Sequence, residues 1–242
     1  MTPSLVQRCG KRTAVPDGLR SVPAPTTTSK STMVTPCGRP DLRHNGDVTT
    51  EAPTPTDYLR ANAWVESDHP DVVRLGTELR AEHLDDVDFA RASFEWVRDE
   101  VAHSYDVQDP RVTLSATDVL RERVGLCYAK SVLYAAVLRS QGVPAALGYQ
   151  RLRSSSGGFV LHGLVSVHLD GAWHRQDPRG NKPGVDAQFS IGTENLVYRV
   201  DESVGEWDYR TLYDEPAPEV VAALTGTSDV LVCQLPAELA QQ

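Results

Sequence analysis

The chain has 242 residues, 40% of them hydrophobic and 24% charged, a balance that excludes wholesale disorder and membrane residence and suits one ordinary domain with tails. Its formal net charge of −9 argues against nucleic acid as the main partner, because phosphate binding relies on clustered Lys and Arg. The four cysteines, Cys9, Cys37, Cys127 and Cys233, match neither C-x-x-C zinc spacing nor a dense disulfide framework, so a reducing, cytoplasmic setting is expected. No run reaches the roughly 18 apolar residues of a membrane span, and no apolar h-region follows the charged start, so neither membrane residence nor an export signal is expected.

Residues 1–56 hold eight of the sixteen prolines and no apolar periodicity, which predicts a disordered tail. Through residue 50 it carries seven Lys or Arg against three Asp or Glu, so it is basic while the remainder is strongly acidic. A solvated tail and a tail that binds an acidic partner both fit. The only methionines are Met1 and Met33, which raises a translation start at or after Met33. Order is expected from the Thr56-Asp57 cap ahead of Tyr58, Leu59 and Trp64. A helix should follow His69-Pro70, with Val72, Leu75 and Leu79 at helical spacing. Another should follow Asp85 or Asp86, with Ala90, Phe94, Val97 and Val101 on one stripe. Phe94, Trp96 and Tyr105 read as core aromatics rather than a ligand-stacking set.

After the polar break Arg121-Glu122-Arg123, an apolar run from Cys127 to Gln141 reads as one buried helix, ended by Gly142 and Pro144. Extended segments follow at Ala145 to Leu152, Phe159 to Leu169 and Ala172 to Asp177, with a flexible connection at Ser154 to Gly158. Helices first and antiparallel strands afterwards give an α+β fold with the Cys127 helix packed on the sheet. The chain divides into a tail over 1–56, a domain over 57–216 and a C-terminal extension over 217–242.

Cys127 falls in the first turn of its helix, where free N–H groups and the dipole favour a thiolate and can receive an oxyanion. Gly125 before it leaves room for a substrate carbonyl. A buried structural cysteine is the competing reading. Asp170-Gly171 is a strong two-residue hairpin signal that pairs Leu169 with Ala172 and sets Leu164 opposite Asp177. His162 then becomes the diagonal neighbour of Asp177, within reach of an imidazole–carboxylate bond. Alone, His162 also fits a satisfied core histidine and Asp177 a strand end; the three together give nucleophile, base and orienting acid. His168 lies too near the turn, His174 points to the other face, and His103 is left as a supporting or substrate-facing group. With one thiolate and no H-x-x-x-H pair, no metal is expected, and with no phosphate-cradling glycine motif no cofactor is either.

Val124-Gly125-Leu126-Cys127-Tyr128-Ala129-Lys130, Leu138 to Ala145, His162-Gly163-Leu164 and Asp170 to Asp177 together resemble transglutaminase-like proteins over about Tyr58 to Pro216. That resemblance implies a papain-related α+β core with Cys127 as nucleophile, His162 as base then acid, and Asp177 orienting His162. The family often shows His-Ala-Trp where this chain has His162-Gly163-Leu164. The expected activity is acyl transfer on a peptide, protein or small amide substrate, with a binding scaffold or a thioester-dependent acetyltransferase as alternatives.

Overall fold

Residues 52–155 and 157–240 are described by a computed structural model of the chain. The expectations on the tail through residue 51, on Met33 and on Cys9 and Cys37 lie outside the described residues. A 3-10 helix, Pro55–Leu59, opens the ordered part, with Thr54 and Asp57 forming a reciprocal capping box. The cap is thus Thr54 rather than Thr56-Asp57, and Asp57 serves as its return partner.

Three helices follow the expected stripes. Helix α1, Pro70–Glu82, starts at His69, whose ring accepts the Asp71 N–H, and buries Val72 and Leu75. Helix α2, Asp86–Glu100, starts at Asp85, whose carboxylate accepts two first-turn N–H groups, and buries Phe89, Ala90, Phe94 and Val97. Helix α5, Cys127–Ser140, is buried on every side apart from Ser140, as its almost unbroken apolar run requires. It ends where Gly142, at φ +80°, lets the Val143 and Gly142 N–H groups return to Leu138 and Arg139 carbonyls.

Between α2 and α5 the chain is more structured than its pattern suggested. Strand β1 (Ala102–His103) pairs in parallel with β2 (Val124–Gly125), and helices α3 (Ser104–Val107) and α4 (Ala116–Glu122) lie between them. The supposed polar break is therefore the end of α4. Seven residues hold barely two turns, too few to display a repeating apolar stripe.

The four-stranded sheet runs β5-β4-β3-β6, formed by β3 (Ala145–Arg153), β4 (Phe159–Leu169), β5 (Ala172–Gln176) and β6 (Trp207–Asp208). Asp170 and Gly171, at φ 50° and 79°, form the two-residue turn, and the ladder runs from Leu169↔Ala172 to Val165↔Gln176. It stops there: Asp177 stands just beyond the strand instead of closing a pair with Leu164. Val165, Val167 and Leu169 share a core with Ala129, Val132, Leu133 and Val137 of α5. By strand alternation His162, Leu164 and Ser166 face the other way, and Leu164 and Ser166 line a cavity of about 350 Å³ together with Trp173, Arg175 and residues between Ser190 and Leu212.

Helix α6, Pro218–Thr225, and the chain after it pack onto the domain: Val220, Leu224, Val230 and Leu239 share a second core with Leu126, Tyr128 and Leu161. The Leu161 N–H donates to the Pro236 carbonyl at 2.8 Å, so this segment runs beside β4. No helix among the described residues is long and apolar enough to cross a membrane.

Lys130, one turn after Cys127, is fully buried and donates to the Val97, Arg98 and Val101 carbonyls, which closes the C-terminal end of α2. Substituting Lys130→Met keeps much of the volume and orphans three carbonyls. Urea unfolding should show a loss of about 2–4 kcal/mol, and a loss within about 0.5 would refute this capping role.

Candidate active site

The N-terminus of α5 meets β4 at a point where neither backbone carries an obstacle. An added Cβ on Gly163 would stand 2.9 Å from Tyr128 Cδ1, 3.0 Å from its Cα and 3.1 Å from its N. Because β5 stops at Gln176, the edge of β4 is open here, and the Gly163 N–H donates to Cys127 Sγ at 3.4 Å. Tyr128 fixes the same junction from its hydroxyl, which donates to the Leu161 carbonyl. The N-cap, Leu126, places no side-chain acceptor on the first turn, so its own cap leaves those N–H groups open.

His162 reaches this sulfur from the sheet face opposite to the one that α5 covers. The expected arrangement, helix and imidazole on one face, is thus replaced by a meeting around the open edge of β4. His162 Nε2 is 2.7 Å from Asp177 Oδ2, with the two side chains 7% and 1% exposed. With Nε2 taken, Nδ1 is the nitrogen left for work on the sulfur. Burial alone would push the His162 imidazolium down, but the Asp177 carboxylate and the Cys127 sulfur outweigh it and hold the ring well above its ordinary value. Asp177 Oδ1 in turn accepts the Arg179 N–H at 3.2 Å, which fixes the carboxylate after the chain leaves β5.

Cys127, His162 and Asp177 are therefore brought together. Cys127 and His162 line a cleft of about 550 Å³ with Tyr105, Leu126, Leu161 and Leu235 among its walls. Such a constellation can activate a thiol through an oriented imidazole and present helix N–H groups to a developing oxyanion. Gly125 does not open the approach to a substrate: a Cβ there would meet Thr113 Oγ1 at 2.9 Å and Ala129 Cβ at 3.0 Å, so its smallness serves packing under the helix.

His168 packs edge-on against Trp173 beside the turn, with ring centroids 5.2 Å apart, and His174 accepts the Gly192 N–H; neither lines the cleft. His103 does. Its pairing with Gly125 seats it beside the strand that leads into Cys127, and its Nδ1 is buried without a hydrogen-bond partner. Tyr105, expected in the core, instead lies in α3 at the cleft wall, 36% exposed. Tyr198 was missed altogether: its ring stands edge-on to His162, 5.0 Å between centroids and 86° between planes, and shields the imidazole. It comes from an irregular stretch in which no periodicity points inward. Among the described residues, no group of three His, Cys, Asp or Glu side chains is placed to hold a metal ion.

Residues 73–178, which contain all three residues, match the family model of the transglutaminase-like superfamily. No curated protein matches the chain. Similar solved structures include a candidate cysteine protease from Cytophaga hutchinsonii, with 19% identity over 51% of this chain and 41% of that one, at a TM-score of 0.44. The periplasmic domain of TgpA from Pseudomonas aeruginosa bound to ethylmercury is 25% identical over 52% of this chain and 48% of that one, at 0.40. A TGase is 19% identical over 56% and 37%, at 0.39. The chain thus spans under half the length of these proteins.

Two outcomes follow from the geometry. Gly163→Ala should push the Tyr128 backbone and with it the sulfur; alkylation of Cys127 should slow about 10-fold or more, with a stability loss of about 1–3 kcal/mol, and a wild-type rate would refute the close-approach argument. Burial, reinforced by the Arg179 charge, pushes His103 down to about 3 from 6.5. Between those values the unfolded chain binds the proton and the folded one does not, so stability should fall as pH falls from about 6.5 toward 3. His103→Gln should flatten that decline in thermal unfolding; an unchanged slope would assign it to other groups.

Proposed function

We propose that the transglutaminase-like core, residues 73–178, makes this chain a cysteine-dependent acyl-transfer enzyme acting on amide bonds through a thioester. The observation that supports this best is the buried line from Cys127 Sγ to the His162 ring to the Asp177 carboxylate, opening on a cleft. Cys127 thiolate attacks the amide carbonyl, and the tetrahedral oxyanion turns to the N–H groups of the first α5 turn. The His162 imidazolium gives its proton to the leaving amine, and the C–N bond breaks to leave an acyl-thioester. Neutral His162 then takes a proton from water or from an incoming amine, whose attack returns the thiol. Water gives hydrolysis or deamidation; an amine gives transfer. Asp177 keeps Nε2 engaged throughout, so the reactive nitrogen stays Nδ1.

The test is to trap the acyl-enzyme. Incubation with a panel of amide and ester substrates, followed by intact-mass measurement, should show an acyl adduct on Cys127 that Cys127→Ala lacks, and turnover in that variant would remove the mechanism. Asp177→Asn should keep the fold and lose about 10²-fold or more of the rate by mis-setting the imidazole. Cys233 supplies an internal control, since burial pushes its thiol up. If Cys127 alkylates no faster than Cys233 at neutral pH, a binding scaffold displaces the enzyme.

A further inference from the structure

The described domain carries 17 Lys or Arg against 29 Asp or Glu, so cations are scarce and almost all are engaged. Lys130 is spent on α2 carbonyls, Arg179 and Lys182 on Asp106, Arg175 on Glu194 and Asp208, and Arg91 and Arg123 lie over the Phe189 and Trp96 rings. Among the described residues only Arg199 and Arg210 lack a hydrogen bond, ion pair or ring contact, and Arg210 still sits in the field of Asp208. Arg199 is exposed and lines the Cys127 cleft.

The other charges of that cleft form no ion pair with this cation, and its lining holds Arg153 and Arg199 against the one carboxylate of Glu206. Glu206, the one acid in the lining, accepts the Arg153 N–H at 2.8 Å through one oxygen and the Asp201 N–H at 2.9 Å through the other. Arg153, also in the lining, donates to the Val204 carbonyl at 3.3 Å and pairs with no carboxylate among the described residues. Arg179 is neutralised by Asp106, and His103 is uncharged at neutral pH because burial holds it down. Arg199 also borders a neighbouring cavity with Glu194 and Asp208; Arg175 pairs with both carboxylates and leaves one charge over, but neither makes an ion pair with Arg199. A net positive cleft rim in an otherwise acidic domain selects for negative charge in what enters. Much of the cleft wall is apolar: Leu126, Leu152, Val160, Leu161, Val197 and Leu235.

We propose that the cleft takes an acidic acyl substrate, a peptide with a free side-chain or terminal carboxylate next to an apolar residue, and that Arg199, aided by Arg153, binds that carboxylate. The inference rests on the acyl-transfer reading only in assigning this cleft to the substrate; binding is measured without turnover. A guanidinium presents a fork of donors that fits a carboxylate bidentately, and an arginine with no prior partner gives up no existing contact on engaging it.

The full chain carrying Cys127→Ala is titrated by calorimetry with two blocked peptides, acetyl-Ala-Leu-Glu-amide and acetyl-Ala-Leu-Gln-amide, at low and high salt. The Glu peptide should bind about 10-fold more tightly or better, with a gap that narrows at high salt. Adding Arg199→Glu should abolish the gap without changing the affinity of the Gln peptide, and Arg199→Ala should reduce it. Because Arg199 holds no partner, both variants should melt with the parent. Equal affinities, no detectable binding of the Glu peptide, or a gap that survives Arg199→Glu overturns the proposal. Binding of the Glu peptide, with no adduct on Cys127 in the intact chain, would instead sink acyl transfer and leave the anion preference standing.

Discussion

The site depends on the bare backbone of β4 at Gly163. Two long-range elements, a helix N-terminus and a strand edge, must come within van der Waals contact for the sulfur to receive an N–H and for the imidazole to reach it. Any side chain at 163 would stand within about 3 Å of the Tyr128 backbone, which cannot yield as a flexible side chain could. The N–H is available only because β5 ends at Gln176 and Pro178 follows two residues later, so no partner strand covers that edge. Strand length, glycine and proline thus act on one another: a β5 longer by two residues would pair with the backbone that the thiol now uses.

Around this junction, charges are anchored by the chain rather than left to solvent. Arg179 holds Asp177 through its backbone N–H while its guanidinium makes a two-point bond to Asp106, at 2.8 and 3.0 Å. Burial would push Asp106 up, yet Arg179 and Lys182 pull it down to about 2, so this anchor stays ionised through the neutral range. Asp106 belongs to α3, the same short helix that carries Tyr105 and that follows directly on His103. The loop that fixes the Asp177 carboxylate and the cleft wall at Tyr105 are therefore tied by one ion pair. Lys130 adds a second tie, from the helix that begins at Cys127 to the C-terminal end of α2.

Much of this was legible in the sequence where a local rule governs. The Asp170-Gly171 turn sets the hairpin register, and the register sets His162 beside Asp177, with the ladder starting at Leu169↔Ala172 as the two-residue loop requires. The buried helix from Cys127 and its glycine stop follow from composition alone. What was not legible depends on packing between distant segments. The face of β4 that α5 covers could not be told, because both faces of that strand are buried and alternation carries no polarity signal. The two-residue β6 and the short α4 lie below the length at which periodicity speaks, and Tyr198 enters from a segment without regular structure. Tyr105 was misplaced because it was read as part of the amphipathic helix that carries Phe94 and Trp96, which ends at Glu100 before the chain turns through β1 into α3.

The weight of the enzymatic reading against an idle scaffold comes from cost. Taking a carboxylate and an imidazolium out of water is expensive, and a hydrogen-bonded pair sealed to 7% and 1% exposure recovers little of that as stability compared with two apolar side chains of similar size. A scaffold selected for stability alone gains nothing from such a pair. The cost is compounded by the thiol, which sits in the first turn of a helix, against an N–H drawn from a strand edge kept free of its neighbour. Each feature separately has a structural explanation. Their common product is a sulfur that meets a strand N–H at a helix N-terminus, near an imidazole hydrogen-bonded to a buried carboxylate, on the wall of a cleft of about 550 Å³, and stability does not call for that combination.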